Sequence, residues 1–387
     1  MQMSNDQALG LVRQGAEALQ RGQAGEARDC LLRVTATGRA NSQIWMLLAA
    51  AERALGNLSA QEAALDQALA LDPGLVMAKV QKGDCRAAAG DNRAALAFYE
   101  SALGLAEGHQ PPPEIAAELS RVAGVVAAWR DRVGAAREAA LASAGLPEGG
   151  RSPRFQQALD ILAGRKAIFV QQPTGFYFPG LAQTQFFDTE QFDWAAVIEA
   201  ETAAIKAELE GVLAEARGEF RPYMHGDANA PRNQTNRLID SYDWSALFLC
   251  ENGKRNAAMI ERCPRTWAAM QQVPAPRTVN SPTVMFSLLK PGARIAAHTG
   301  MFNTRLICHL PLIVPPGCGF RVGNEVREWQ PGKLMVFDDT IEHEAWNEGG
   351  SERVVLIFDI WRPDLSEQER AEVAALFAAT GAGTGSV

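Results

Sequence analysis

The stretch that decides the fold runs from Ser287 to Trp361: SLLKPGARIAAHTGMFNTRLICHLPLIVPPGCGFRVGNEVREWQPGKLMVFDDTIEHEAWNEGGSERVVLIFDIW. Short apolar runs at Val284–Leu289, Arg305–Val314, Lys333–Phe337 and Val354–Trp361 alternate with turn signals at Pro291-Gly292, Pro315-Pro316-Gly317, Pro331-Gly332 and Asn347-Glu348-Gly349-Gly350. Short strands punctuated this regularly by Gly and Pro predict a sandwich or barrel, and no helix start or stop pattern competes. Three of the chain's five histidines, His298, His309 and His343, fall here. Imidazole suits iron, zinc and copper. Two antiparallel strands would bring His298 and His343 together although 45 positions separate them. Arg353 opens the next apolar run, where a guanidinium can fork onto a dicarboxylate. Any one of these histidines alone is better explained as an ordinary polar group at a strand end. The joint pattern of two histidines and a trailing arginine favours a metal site.

The ordered set His298-Thr299-Gly300, Asn303-Thr304-Arg305, His309-Leu310, Arg321-Val322-Gly323-Asn324-Glu325, Phe337-Asp338-Asp339, His343-Glu344-Ala345-Trp346, Arg353 and Asp359-Ile360-Trp361 resembles the aspartyl/asparaginyl β-hydroxylase family. The likeness extends upstream through Asp243-Trp244-Ser245 to about Pro173. It implies a double-stranded β-helix using Fe(II), 2-oxoglutarate and O2. It implies His298 and His343 as iron ligands, Ser287 and Arg353 on the distal carboxylate of 2-oxoglutarate, and His309 near the cosubstrate's other end. Arg305 becomes a candidate for a cosubstrate or substrate carboxylate. Trp244 lines the pocket or, equally, packs in the core. Most such oxygenases add a carboxylate two residues after the first histidine; here that position is Gly300, as is usual in this family. Asp339 is then the candidate to orient water or a ligand from outside the first shell. Arg321 and Asn324 read equally as structural hydrogen-bonders.

Composition bounds the rest. The 387 residues carry a net charge of −8 and are 47% hydrophobic, enough for folded cores and against a broad nucleic-acid-binding surface. Six scattered cysteines form no disulfide or zinc spacing, which fits a reducing, cytoplasmic setting. The first twenty residues lack the sections of a signal peptide, and no apolar stretch is long enough to span a membrane.

Residues 1–145 repeat. Gly22, Gly56 and Gly90 recur every 34 residues; Gly15, Ala49 and Gly83 precede them by seven, and Leu31, Leu65 and Tyr99 follow by nine. This period resembles the tetratricopeptide repeat, a helix–turn–helix solenoid whose concave face commonly binds peptides or proteins. Glu114–Ala144 reads as one further helical pair. A linker with a short helix at Phe155–Ala163 fills 146–165, and 166–387 forms the β-helix domain with flanking helices, including one over Trp194–Ala216.

The expected function is hydroxylation of an unactivated C–H bond, first of all the β-carbon of an Asp or Asn residue in a protein, peptide or amino-acid derivative. Alternatives are a repeat-based adaptor with an inactive cupin-like domain, a zinc protein without oxygen chemistry, and a hydroxylase of a lipid acyl chain. Animal members of the family carry a second arginine where this chain has Ile307 and a lysine where it has Met285. Their absence points away from the substrate aspartates of those enzymes.

Overall fold

The computed structural model describes residues 3–225, 237–278 and 281–380. The last seven residues of the expected C-terminal domain therefore lie outside the described ones. The chain divides into two compact units, Met1–Leu159 and Asp160–Val387, and the division falls inside the expected linker.

The first unit is built of helical hairpins: α1 (Asn5–Gln20) with α2 (Ala24–Thr35), α3 (Ser42–Ala54) with α4 (Leu58–Leu71), and α5 (Val76–Ala88) with α6 (Asn92–Ala106). The 34-residue period has two physical causes. Gly22, Gly56 and Gly90 adopt φ of +75°, +76° and +82°, the left-handed conformation that closes a helix and costs other residues strain. At Gly15, an added Cβ would lie 3.0 Å from Leu31 Cγ, and at Gly83 it would overlap the Tyr99 ring. The small residue on one helix is thus the socket for the large residue on its partner.

The expected helical pair at Glu114–Ala144 is instead one 31-residue helix, α7 (Pro113–Ser143). Gly124 and Gly134 keep negative φ, and no proline lies in the stretch beyond its first turn, so nothing forces a reversal. Its buried residues Leu119, Val122 and Val126 pack with Val80, Leu96 and Tyr99. Helix α8 (Pro153–Leu162) follows close to the expected short helix.

The second unit carries α9 (Ala195–Ala200), α10 (Thr202–Glu215), α11 (Ala257–Arg262), α12 (Pro264–Met270) and α13 (Glu367–Ala379). The single helix expected over Trp194–Ala216 is broken at Glu201, where the Thr202 hydroxyl donates to the Glu199 carbonyl at 2.6 Å and competes with the helical ladder. The strands are β1 (Phe186–Phe187), β2 (Arg221–Pro222), β3 (Trp244–Glu251), β4 (Lys254–Arg255), β5 (Val284–Leu289), β6 (Arg294–His298), β7 (Arg305–Ile313), β8 (Cys318–Val322), β9 (Glu325–Arg327), β10 (Met335–Phe337), β11 (His343–Asn347) and β12 (Arg353–Trp361). An eight-stranded sheet has the order β1-β10-β7-β12-β5-β3-β2, with β4 on β3; a four-stranded sheet has the order β6-β11-β8-β9. Pairing within both is antiparallel. This is the jelly-roll expected from the punctuated strands.

Strand alternation sorts the side chains. Along β12, Val354, Leu356, Phe358 and Ile360 join the core that includes Ile205, Leu209 and Val212 of α10. The intervening Val355 and Ile357 pack with the core of the smaller sheet. Arg353 and Asp359 share that inner face by the same parity and are both 1% exposed. Two charges are thereby carried into the space between the sheets. Among the described residues no helix is long and apolar enough to cross a membrane.

Candidate active site

His298 ends β6 and His343 begins β11, and the two are direct cross-strand partners. Their ring centroids lie 4.1 Å apart. Each Nδ1 bonds a carbonyl two residues back: His298 to Ala296 at 2.8 Å, His343 to Ile341 at 3.1 Å. A carbonyl can only accept, so Nδ1 carries the proton and Nε2 keeps its lone pair. Burial, and then the neighbouring His298, push the His343 pKa down to about 3, so that ring is neutral, as a metal ligand must be. His298 stays accessible to solvent.

Asp339 sits where the missing carboxylate would be. A Cβ built at Gly300 would overlap its nearer oxygen and lie 2.8 Å from Oδ1. The Gly300 amide donates to the Asp339 carbonyl at 2.7 Å, locking the two loops together. Burial raises the Asp339 pKa to about 7 against the opposing pull of Arg305, and its Oδ1 has no partner. A buried carboxylate oxygen left open in this way is what a bound water or another donor would complete. Among the described residues no group of three or more His, Cys, Asp and Glu side chains is gathered around one point. The donor set on offer is therefore the two imidazoles of His298 and His343, whose Nε2 lone pairs suit a divalent transition metal that completes its coordination with other ligands.

Deeper on the inner face lies Arg353. Its Nη1 donates to the Ser287 carbonyl at 3.4 Å, while Nε has no partner. Among the described residues no carboxylate pairs with it, and burial lowers its pKa to about 10. A buried, underpaired guanidinium is costly unless an anion binds there. Ser287 is fully buried, and its hydroxyl accepts from Trp244 Nε1 at 3.2 Å. Trp244 in turn stacks on Tyr223 with centroids 4.2 Å apart and lies 6.5 Å from the His298 ring, so its ring adjoins the site while being 7% exposed. Phe337 connects the histidines, at 5.6 Å from His343 and 4.8 Å from His309.

Arg305 is drawn away from a free role. Its Nη1 pairs with Asp359 at 3.0 Å, although Nε is unpartnered. Asp359 also accepts from Ser281 and from the Thr283 amide. Arg321 bonds Glu344, Glu342 and the Gly323 carbonyl, and Asn324 bonds the Ala167 carbonyl and Gln185. Both act as structural ties.

Sequence reasoning missed three features. Trp329 is 3% exposed and touches both His309 and Arg353; the available signal was a tryptophan isolated in the largely polar segment Glu325–Gln330. Asp359 was quoted without its part as the partner of Arg305. The third is a strap formed by Gln171–Phe178. The amide of Gln172 donates to the Thr340 carbonyl, Thr174 to Gly300 and Phe176 to Met301. It thus crosses both loops that carry the site. Gln171 donates to Asp338 at 2.6 Å and accepts from Asn303 at 3.0 Å. Asp338 pairs at 2.6 Å with Arg362, both side chains wholly buried. Arg362→Met is expected to destabilise the C-terminal unit by about 3–5 kcal/mol, since it strands a buried carboxylate. Urea unfolding of the variant against wild type measures this.

The class defined by fold and site is a jelly-roll domain with a pair of cross-strand histidines and a buried, underpaired arginine. Residues 199–363 match the family model of the aspartyl/asparaginyl beta-hydroxylases. The ornithine lipid ester-linked acyl 2-hydroxylase of Rhizobium tropici is 39% identical over 186 residues, covering 47% of this chain and 62% of that protein. Human aspartyl/asparaginyl beta-hydroxylase is 32% identical over 173 residues, covering 44% of this chain and 21% of that protein. The chain thus matches less than two thirds of the length of each. The first unit is similar to a solved tetratricopeptide domain, the first TPR of Spaghetti bound to an HSP90 peptide. That likeness has 24% identity and a TM-score of 0.29, over 33% of this chain and 98% of that one.

Proposed function

We propose that the C-terminal unit is an Fe(II)- and 2-oxoglutarate-dependent dioxygenase that hydroxylates an unactivated C–H bond. The observation that carries the reading is the buried Arg353, without a carboxylate partner among the described residues, on the face of the larger sheet that looks toward the smaller sheet carrying the paired histidines. His298 and His343 would hold the iron through Nε2. Bound iron would supply the activation of O2, driven by oxidation of 2-oxoglutarate, that hydrogen abstraction from carbon demands. The residues do the positioning: Arg353 and Ser287 receive the distal carboxylate, His309 faces the cosubstrate's other end, and Asp339 orients water beside the histidines.

The substrate is first an Asp or Asn residue of a protein or peptide, or an amino-acid derivative. A second reading, an acyl chain, is favoured by one observation: Arg305 is committed to Asp359, while Ile307 and Met285 bring no charge to the inner face. The helical repeats would recruit a peptide or protein partner. Six unpaired, buried cysteines fit a reducing compartment.

Anaerobic titration with Fe(II) and 2-oxoglutarate tests the cofactor assignment. A weak visible charge-transfer band supports it; a protein that takes zinc but gives no band with iron and 2-oxoglutarate overturns it. Incubation in air with an Asp/Asn peptide library and with lipid extracts, read as +16 Da, separates the substrates. Arg353→Lys is expected to raise the KM for 2-oxoglutarate at least about tenfold, because lysine cannot form the bidentate contact. An unchanged KM would place the anchor elsewhere.

A further inference from the structure

Between β9 of the smaller sheet and β10 of the larger one the chain crosses over, and Trp329 lies on that crossing. Its indole is stacked on Phe320, with centroids 5.3 Å apart and planes 20° from parallel. The following turn is pinned by the Gly332 amide on the Pro311 carbonyl at 2.9 Å and the Lys333 amide on Gln330 at 3.0 Å. The ring is therefore stacked on one face and the chain just after it is anchored, and two groups of the site meet the ring. Nε1 donates to His309 Nδ1 at 3.3 Å. The Arg353 guanidinium carbon lies 4.5 Å from the ring centroid.

The hydrogen bond fixes a tautomer. An indole N–H can donate but never accept, so His309 Nδ1 must be the bare nitrogen and a neutral ring must carry its proton on Nε2. His298 and His343 have the reverse arrangement, with the proton on Nδ1 held by backbone carbonyls. The two paired rings thus offer lone pairs to a cation, whereas His309 offers an N–H to an anion. His309 in the other tautomer would set N–H against N–H at Trp329 and present a lone pair to a carboxylate. The π face makes the second contribution. A guanidinium buried without a counter-ion is steadied by an aromatic face, which leaves its N–H edge free for a carboxylate.

We propose that Trp329 is a positioning residue of the cosubstrate site, fixing the Nε2–H tautomer of His309 through its indole N–H and holding the Arg353 guanidinium on its ring face. The proposal rests on the hydroxylase reading above. The two contributions separate by substitution. Trp329→Phe keeps a ring face and removes the N–H; Trp329→Leu removes both.

The full chain is titrated anaerobically with Fe(II) and 2-oxoglutarate, and nitrogen-15 histidine spectra are recorded on the zinc-loaded protein. Trp329→Phe is expected to weaken 2-oxoglutarate binding roughly tenfold, the loss of one hydrogen-bonded contact, to place that loss in KM rather than kcat, and to give mixed His309 tautomers. Trp329→Leu is expected to weaken binding roughly a further tenfold; its melting curve is recorded, and Trp329→Phe alone decides the outcome if the leucine variant does not fold. In a His309→Ala background Trp329→Phe should add almost nothing, because the two residues act as one unit. Binding of Trp329→Phe within about twofold of wild type with His309 still in a single Nε2–H form overturns the proposal, as does full multiplication of the two effects. If wild type itself develops no band, the hydroxylase reading has failed instead.

Discussion

His298→Ala should lose iron-dependent turnover of 2-oxoglutarate by at least about a hundredfold, the upper end of what removing even an outer metal partner costs, while its melting temperature hardly moves. With two imidazoles as the assigned ligands, losing either leaves one. His298 is accessible and, among the described residues, hydrogen-bonds through its ring to Ala296, a local contact within its own strand, so its removal empties no core. His343→Ala should be equally inactive but less stable by about 1–3 kcal/mol, because a buried ring bonded to the Ile341 carbonyl is removed. Succinate formation and thermal melting are measured together on both. Near-normal turnover in His298→Ala would sink the metal assignment, since no loss of fold could be blamed or credited.

Restoring a carboxylate at position 300 should destroy the site rather than complete it. Gly300→Asp places a side chain where the Asp339 carboxylate already lies, and the Gly300–Asp339 backbone bond leaves the loops no room to part. Overpacking of this kind costs about 1–3 kcal/mol, and the displaced Asp339 loses its place beside the histidines. Activity is expected to fall about a hundredfold, as when an outer partner of a metal site is lost. The double variant Gly300→Asp with Asp339→Gly vacates the space and moves the carboxylate to the other loop. It should recover iron binding, measured by the charge-transfer band with 2-oxoglutarate. A Gly300→Asp single variant with wild-type iron affinity and turnover would show that Asp339 does not occupy the space that matters.

Much of this was legible beforehand. The repeat glycines were visible because each answers a local demand: a left-handed φ at Gly22, Gly56 and Gly90, and a socket for Tyr99 at Gly83. The strands at Val284–Leu289 and Arg305–Ile313 were visible because turn residues bound them. Helix ends were less so. The reversal expected within Glu114–Ala144 and the continuity expected over Trp194–Ala216 were both wrong, the first because helical glycines need not break a helix, the second because one threonine hydroxyl did.

The sequence by itself determined which residues could do chemistry and the periodicities that sort them: two histidines, a trailing arginine and strands whose alternation carries Arg353 inward. Only the tertiary structure decided what each one touches. That Arg305 is taken by Asp359, that Asp339 fills the space over Gly300, and that Trp329 joins His309 to Arg353 all depend on contacts between strands distant in the chain. The physical reason is that periodicity fixes only the face on which a side chain lies, whereas its partner, tautomer and charge are set by the neighbours that sheet order and register bring to that face.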